Sequence, residues 1–163
     1  MLLEASCHCN AVSFSIESLH AYPFNYCYCS ICRKTSGGGG YAINLSGDSS
    51  SLKVNGEKHI TVYYAKIKND ETNQREVSSA GRHFCKECGS SLWLYDPRWP
   101  TLIHPFASVV NTELPVAPER THLMLDSKAS WVPLEMHSND KTFPSFPDES
   151  IAQWHKRLKL ETF

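Results

Sequence analysis

The sequence lacks a surplus of charge of either sign: 16 Lys and Arg against 17 Asp and Glu leave a formal net charge of −1. Neutralising a phosphate backbone takes clustered, excess Lys and Arg, so no nucleic-acid partner is expected. Apolar runs are short. None approaches the roughly 18 residues that would span a bilayer, so no membrane partner is expected either. No amino-terminal stretch joins basic residues, an apolar run of about 7–15 residues and a cleavage site, so no signal peptide is expected. The chain also lacks an even set of cysteines: there are seven, which cannot all pair with one another. Seven is too few, in 163 residues, for the roughly 8–10% that marks a disulfide-stapled secreted scaffold. The expectation is an intracellular, cytoplasmic protein with reduced thiols, the nucleus remaining open. Reduced, clustered cysteines usually mean metal.

What is present describes a globular chain. Hydrophobic residues make up 41% and charged residues 20%. That length and balance suit one domain over residues 1–163 with a core of its own. Val12, Phe14 and Ile16 alternate with polar residues, and Tyr22, Phe24 and Tyr26 repeat the period of two, both read as strands. Further strands are expected at Tyr41–Leu45, Leu52–Val54, Ile60–Ala65, Ser91–Tyr95, Phe106–Val110 and His122–Leu125. Turn signals fall between them at Gly37–Gly40, Gly47-Asp48 and Asn55-Gly56, the last a hairpin signal. Eight of the nine prolines lie at or after Pro97, which leaves no room there for long helices. One helix is expected at the end, where Asp148, Glu149 and Ser150 precede Ile151, Trp154 and Leu158 at helical spacing. The polar segment Lys66–Glu76 reads as a solvated loop. No repeat or linker divides the chain.

The cysteines fall into C-x-C at Cys7 and Cys9, C-x-C-x2-C at Cys27, Cys29 and Cys32, and C-x2-C at Cys85 and Cys88. A structural zinc site takes four ligands in a closed tetrahedron, while a catalytic one takes three and keeps a position open. Seven divides into four and three. The outer pairs make the closed set, although they lie far apart in sequence, and the central triplet makes a compact open one. Gly89 directly follows Cys88, and a positive φ there would let backbone N–H groups face the sulfurs. Two Zn2+ per chain are expected, adding about −3 to the formal charge when seven thiolates hold them. Three thiolates weaken zinc as a Lewis acid for water and suit it to an incoming thiol, pointing to thiol-adduct chemistry rather than hydrolysis. The alternatives are buried cysteines that act as small hydrophobes, and a redox C-x-x-C at Cys29 and Cys32. The redox motif expects a βαβ context, which the pattern does not provide.

Cys7-His8-Cys9, the run Cys27-Tyr28-Cys29-Ser30-Ile31-Cys32-Arg33-Lys34-Thr35-Ser36-Gly37, and Phe84-Cys85-x-x-Cys88-Gly89-Ser90 resemble the glutathione-dependent formaldehyde-activating enzyme (Gfa) family, which also includes centromere protein V. The stretches Ala107–Val110, Leu114-Pro115, His122, Ser127–Val132 and Phe143–Pro147 are similar to that family's carboxy-terminal half. The resemblance covers nearly the whole chain. It implies an all-β fold of several small antiparallel sheets, a zinc-stapled β-tent with a short C-terminal helix. It implies structural zinc at Cys7, Cys9, Cys85 and Cys88, and catalytic zinc at Cys27, Cys29 and Cys32. The activity it implies is of the carbon–sulfur lyase type, glutathione plus formaldehyde giving S-hydroxymethylglutathione. A related zinc enzyme acting on an imine or another aldehyde is the alternative. A non-catalytic zinc module for chromatin or microtubules is the third reading, which expects a basic extension.

Other residues divide between site and scaffold. Arg33 and Lys34 directly follow the triplet, where Arg33 is a candidate for an acidic ligand such as a glutathione carboxylate, or else both balance the thiolates. The Gly37–Gly40 run either lets a ligand approach the backbone closely or is a flexible turn. His83 would share a strand face with Cys85, His8 should point away from its flanking cysteines, and the four tryptophans read as core or rim packing.

Overall fold

Leu3 and Ala5 alternate with Glu4 and Ser6, and burial follows the alternation: both apolar side chains are buried while their polar neighbours are not. This first strand, β1 (Leu2–Ser6), pairs antiparallel with β2 (Ser13–Glu17), placing Leu3 opposite Ile16 and Ala5 opposite Phe14 on one apolar face. The computed structural model describes residues 1–69 and 71–163. In it the chain continues through β3 (Asn25–Cys27), α1 (Ser30–Ser36), β4 (Ala42–Ile43), β5 (Gly47–Asp48) and β6 (Lys53–Asn55). The long pair β7 (Ile60–Lys68) and β8 (Arg75–Cys85) follows, then β9 (Ser91–Tyr95), β10 (Leu102–Pro105), β11 (Thr121–Leu123), β12 (Lys141–Thr142) and α2 (Ile151–Leu158).

The strands form three small sheets, ordered β1-β2-β6, β5-β10-β9-β8-β7 and β12-β11-β3-β4. The all-β expectation of several small sheets with a short carboxy-terminal helix holds. Most pairings are antiparallel, but β11 runs parallel to both β3 and β12. Two apolar clusters lie between the sheets. One gathers Leu3, Phe14, Ile16, Leu45, Leu92 and Trp93 together with Cys7 and Cys85. The other gathers Cys27, Cys32, Ala42, Phe106 and Leu123, with Cys29 and Leu94 at its edge.

The expected carboxy-terminal helix starts at its cap. The Ser150 hydroxyl accepts from Gln153 N–H, and the Gln153 side chain accepts from Ser150 N–H, a complete capping box. Trp154 is fully buried and stacks on Phe24 at 3.8 Å between ring centres.

Several local expectations change. The polar Lys66–Glu76 segment is not one loop, because Lys66 pairs with Val77, Ile67 with Glu76 and Lys68 with Arg75. Polar side chains suit a two-stranded arm wetted on both faces, so a pattern of burial was never available to mark it. Asp70, within that segment, lies outside the described residues. Asn55-Gly56 turns the chain but closes no hairpin: β6 pairs with β2, and β7 with β8. Gly56 adopts φ +80 and opens a short 3-10 turn instead. Phe106–Val110 is likewise a 3-10 turn at Ala107–Val109, anchored by single bridges at Phe106 and Val110. Of Tyr22–Tyr26 only the end is strand, since Pro23 has no N–H to offer a ladder. The His122–Leu125 strand stops at Leu123, where Met124 turns left-handed. Tyr41–Leu45 contracts to β4 and Leu52–Val54 shifts to β6.

Candidate functional site

The first cysteine cluster is built from two turns of the same design. After β1, Cys7 and Cys9 are followed by Asn10 at φ 60, and Asn10 N–H donates to the Cys7 carbonyl. After β8, Cys85 and Cys88 are followed by Gly89 at φ +76, and Gly89 N–H donates to the Cys85 carbonyl at 2.8 Å. Asn and Gly are the residues that tolerate this left-handed backbone. The turn lets main-chain donors reach sulfur, as where Val12 N–H approaches Cys7 Sγ at 3.2 Å. The two turns meet directly, His8 N–H donating to Ser90 Oγ.

All four sulfurs lie within 4.8 Å of one another. Cys7 Sγ is 3.6 Å from Cys9 Sγ, which is 3.8 Å from Cys85 Sγ. A tetrahedron of sulfurs at about 2.3 Å from zinc has edges of about 3.8 Å, so the donor set fits that ion. Cys7 and Cys85 are buried, while Cys9 and Cys88 are exposed. Hydrogen bonds from the Ser90 side chain and backbone lower the Cys88 thiol to about 5, already favouring the thiolate a metal needs.

The second cluster lies where β3 runs into α1. Cys27 ends the strand, Cys29 caps the helix and Cys32 sits in its first turn, so six residues bring three sulfurs within 4.8 Å. Cys29 Sγ accepts from Cys32 N–H. The neighbouring Cys27 and Cys32 thiols and this backbone donor hold Cys29 far below the usual thiol range, while Cys29, Cys32 and burial push Cys27 up. Three sulfurs at one helix end, with no fourth protein ligand among the described residues, match the open type of zinc site. The chain after α1 returns antiparallel in β4, so no parallel crossover surrounds the C-x-x-C pair.

Behind the triplet runs a buried polar chain. The Tyr28 hydroxyl lies 2.9 Å from His122 Nδ1, and His122 Nε2 lies 3.4 Å from Asp140 Oδ2. Arg120 donates to Asp140 through its side chain and its own N–H, both at 2.8 Å. Burial pushes Asp140 up, yet the donors from Arg120 and His137 hold it well below the carboxylate range. Burial raises Tyr28 to about 12. The parallel pairing of β3 with β11 sets Leu123 opposite Cys27 and so fixes the triplet to this network.

Beside the triplet two cavities adjoin, sharing Thr35, Gly89 and Ser91 in their walls. One, of about 370 Å3, is also lined by Tyr63, Arg82 and Phe84. The other, of about 400 Å3, carries Arg33, Lys34, Ser36, Ser90 and Ser108. Both fall within the range of small-molecule sites. Among the described residues their walls hold three cations and no carboxylate.

The glycine run acquires a division of labour. A side chain at Gly37 would collide with the Tyr41 backbone and one at Gly40 with Val132, whereas Gly38 and Gly39 have space. Gly37 and Gly38 line the second cavity. His83 does not serve the sulfurs; it stacks on Trp93 at 5.0 Å. Trp93 and Trp154 are core, while Trp99 and Trp131 are exposed. Sequence reasoning missed Arg82, which no spacing connects to the triplet.

A sequence model described as "glutathione-dependent formaldehyde-activating enzyme" matches residues 2–126. A protein of Halomonas elongata, named provisionally as such an enzyme, is 57% identical over 161 residues, 99% of each chain. A crystal structure of a Rhodobacter sphaeroides protein is similar at a TM-score of 0.50 and 26% identity, over 71% of this chain and 91% of that one.

Proposed function

Because the chain belongs to the glutathione-dependent formaldehyde-activating enzyme family, we propose that it joins glutathione to formaldehyde at the Cys27–Cys29–Cys32 centre. A sulfur–carbon bond forms, the carbonyl π bond breaks, and the thiol proton ends on the former carbonyl oxygen, giving S-hydroxymethylglutathione. In reverse this is a carbon–sulfur lyase reaction. Zinc held by Cys27, Cys29 and Cys32 would supply a positive centre that favours the thiolate form of an added thiol. The closed set at Cys7, Cys9, Cys85 and Cys88 would hold a second zinc that staples the fold.

The observation that carries this reading is the three-sulfur set without a fourth protein ligand among the described residues, standing beside cationic cavities. The chain's own side chains position what enters. Arg33 follows Cys32 on α1, and its buried Nε has no partner among the described residues. It is therefore free to take one glutathione carboxylate. Reduced thiols at both centres require a reducing compartment, in keeping with the cytoplasm. Residues 1–163 act as one zinc domain in this reading, since the four-sulfur set joins chain segments 76 residues apart.

The test follows S-hydroxymethylglutathione by NMR on mixing formaldehyde with glutathione. The protein should accelerate its formation over buffer, and Cys29→Ser should return the rate to that of buffer. No acceleration by the zinc-loaded protein would remove formaldehyde as the substrate and leave another aldehyde or an imine.

A further inference from the structure

Arg82 lies in the middle of β8 and is only 8% exposed. A buried cation is normally paired, because losing water without a partner is costly. This one is not: Nε and Nη1 are both buried with no hydrogen-bond partner among the described residues. The guanidinium instead lines the cavity of about 370 Å3.

The surroundings say what that cavity would take. Arg82 stands opposite Leu94 across the β8–β9 pair, so the two side chains share a face. Leu94 packs against the apolar cluster that holds Cys27 and Cys32, as does Cys29. Thr35, on the same wall, follows Cys32 by one turn of α1. The cavity is therefore adjacent to the triplet. Two of its hydroxyls are already committed, Thr35 Oγ1 to the Ile31 carbonyl and Ser91 Oγ to the Thr35 carbonyl, while Tyr63 stands half-exposed at its rim. No acidic side chain among the described residues lines it. The desolvated group it offers is a planar cation, which recognises a carboxylate better than any neutral group.

We propose that Arg82 anchors a carboxylate of the thiol substrate, in the cavity between β8 and α1. The proposal rests on the glutathione reading above. Glutathione carries two carboxylates, and the adjoining cavities offer two unpartnered arginines, Arg33 and Arg82. Arg82 sets affinity and selects for an acidic thiol, while the bond-forming step stays with the sulfur centre. A simple thiol without a carboxylate should be a poor substrate.

The experiment uses S-methylglutathione, which keeps both carboxylates and has no thiol to meet a metal. Calorimetric titration of the zinc-loaded protein should show binding, weakened about tenfold to a hundredfold by Arg82→Gln and less by Arg82→Lys. With glutathione and formaldehyde, Arg82→Gln should raise KM by a similar factor and leave kcat within a few-fold. Zinc content should stay the same. Esterifying both carboxylates of glutathione should weaken the wild type far more than the variant, an arm that needs no folded variant to register in the wild type. Equal affinity of wild type and Arg82→Gln for S-methylglutathione, or none in the wild type, overturns the anchor. So does loss of zinc from the variant with affinity unchanged, which would make Arg82 a counter-charge to the sulfurs. If the anchor binds as expected but formaldehyde is not consumed faster, only the formaldehyde reading falls. If activity is present and the variant binds equally, only the anchor falls.

Discussion

The two sulfur clusters differ in what they connect. The four-sulfur set draws together the turn after β1 and the turn after β8, 76 residues apart. The three-sulfur set spans six residues of one β3–α1 corner and connects almost nothing that the chain does not already join. Each set has two buried members, Cys7 and Cys85 in one and Cys27 and Cys32 in the other, but the four-sulfur set also turns Cys9 and Cys88 to solvent, whereas Cys29 is only half-exposed. A metal stabilises a fold only so far as it binds the native state better than the unfolded chain. Four sulfurs from distant segments meet that condition fully. A local triplet meets it poorly, because an unfolded chain can gather three neighbouring cysteines almost as well. Sequence separation, rather than ligand type, is thus what would let an ion at one set hold the fold and an ion at the other leave it unchanged.

The largest test of this contrast is a pair of serine variants. Cys88→Ser opens the long clip, and structural zinc contributes about 10–16 kcal/mol in small zinc domains, as much as a whole domain's stability. It should unfold the protein. Cys29→Ser should lose one zinc, lose activity and still melt cooperatively within a few degrees of wild type. Native mass spectrometry with thermal melting reads both, and equal loss of fold would end the four-plus-three division.

A smaller effect probes what holds the triplet in place. Asp140→Asn leaves the largely buried Arg120 without its carboxylate, a loss of about 3–5 kcal/mol for a buried pair. Urea unfolding should record it with both zinc ions retained. A cost below about 1 kcal/mol would mean that the network behind the triplet is not a support.

The smallest effect separates either centre from the rest of the core. His155 is fully buried against Phe24 and Trp154, donates through Nδ1 to the Ile151 carbonyl and accepts at Nε2 from Tyr22 N–H. Burial lowers it to about 4, so between that value and about 6.5 the unfolded chain binds the extra proton. Its contribution is complete above pH 6.5 and is lost as pH falls to about 4, on the order of 2 kcal/mol. Unfolding curves across that window should show the slope. His155→Gln should flatten it, whereas acid release of metal would persist in the variant.

How much of this was legible follows from what each feature demands. Metal ligation would need clustered thiolates, so Cys7, Cys9, Cys27, Cys29, Cys32, Cys85 and Cys88 divide into two sets on spacing alone, and each set does come together. Strands with one wet face, such as β2, show their period. The outer part of the β7–β8 pair does not, because residues such as Lys66, Lys68 and Glu76 are exposed on a ribbon with no buried side there. The α1 helix has seven residues, too few for a period, and its cap is a cysteine rather than a usual capping residue. Asn55-Gly56 is a true turn whose strands find other partners, since pairing is decided by distant segments. Arg82 is invisible for the same reason: it reaches the triplet's neighbourhood through the β8–β9 register, which no local pattern encodes.

The β3–β11 pairing has a consequence for the order of assembly. The triplet is complete once residue 32 has been made, but its platform is not, because Cys27 is registered against Leu123. The four-sulfur set waits for Cys88, and the buried Tyr28–His122–Asp140 chain waits longer still. Synthesis from the amino terminus therefore completes the three-sulfur set first, the four-sulfur set second and the polar network behind the triplet last. An ion captured early by the triplet would travel with an unfinished chain, and the last strands to arrive would enclose it rather than recruit it.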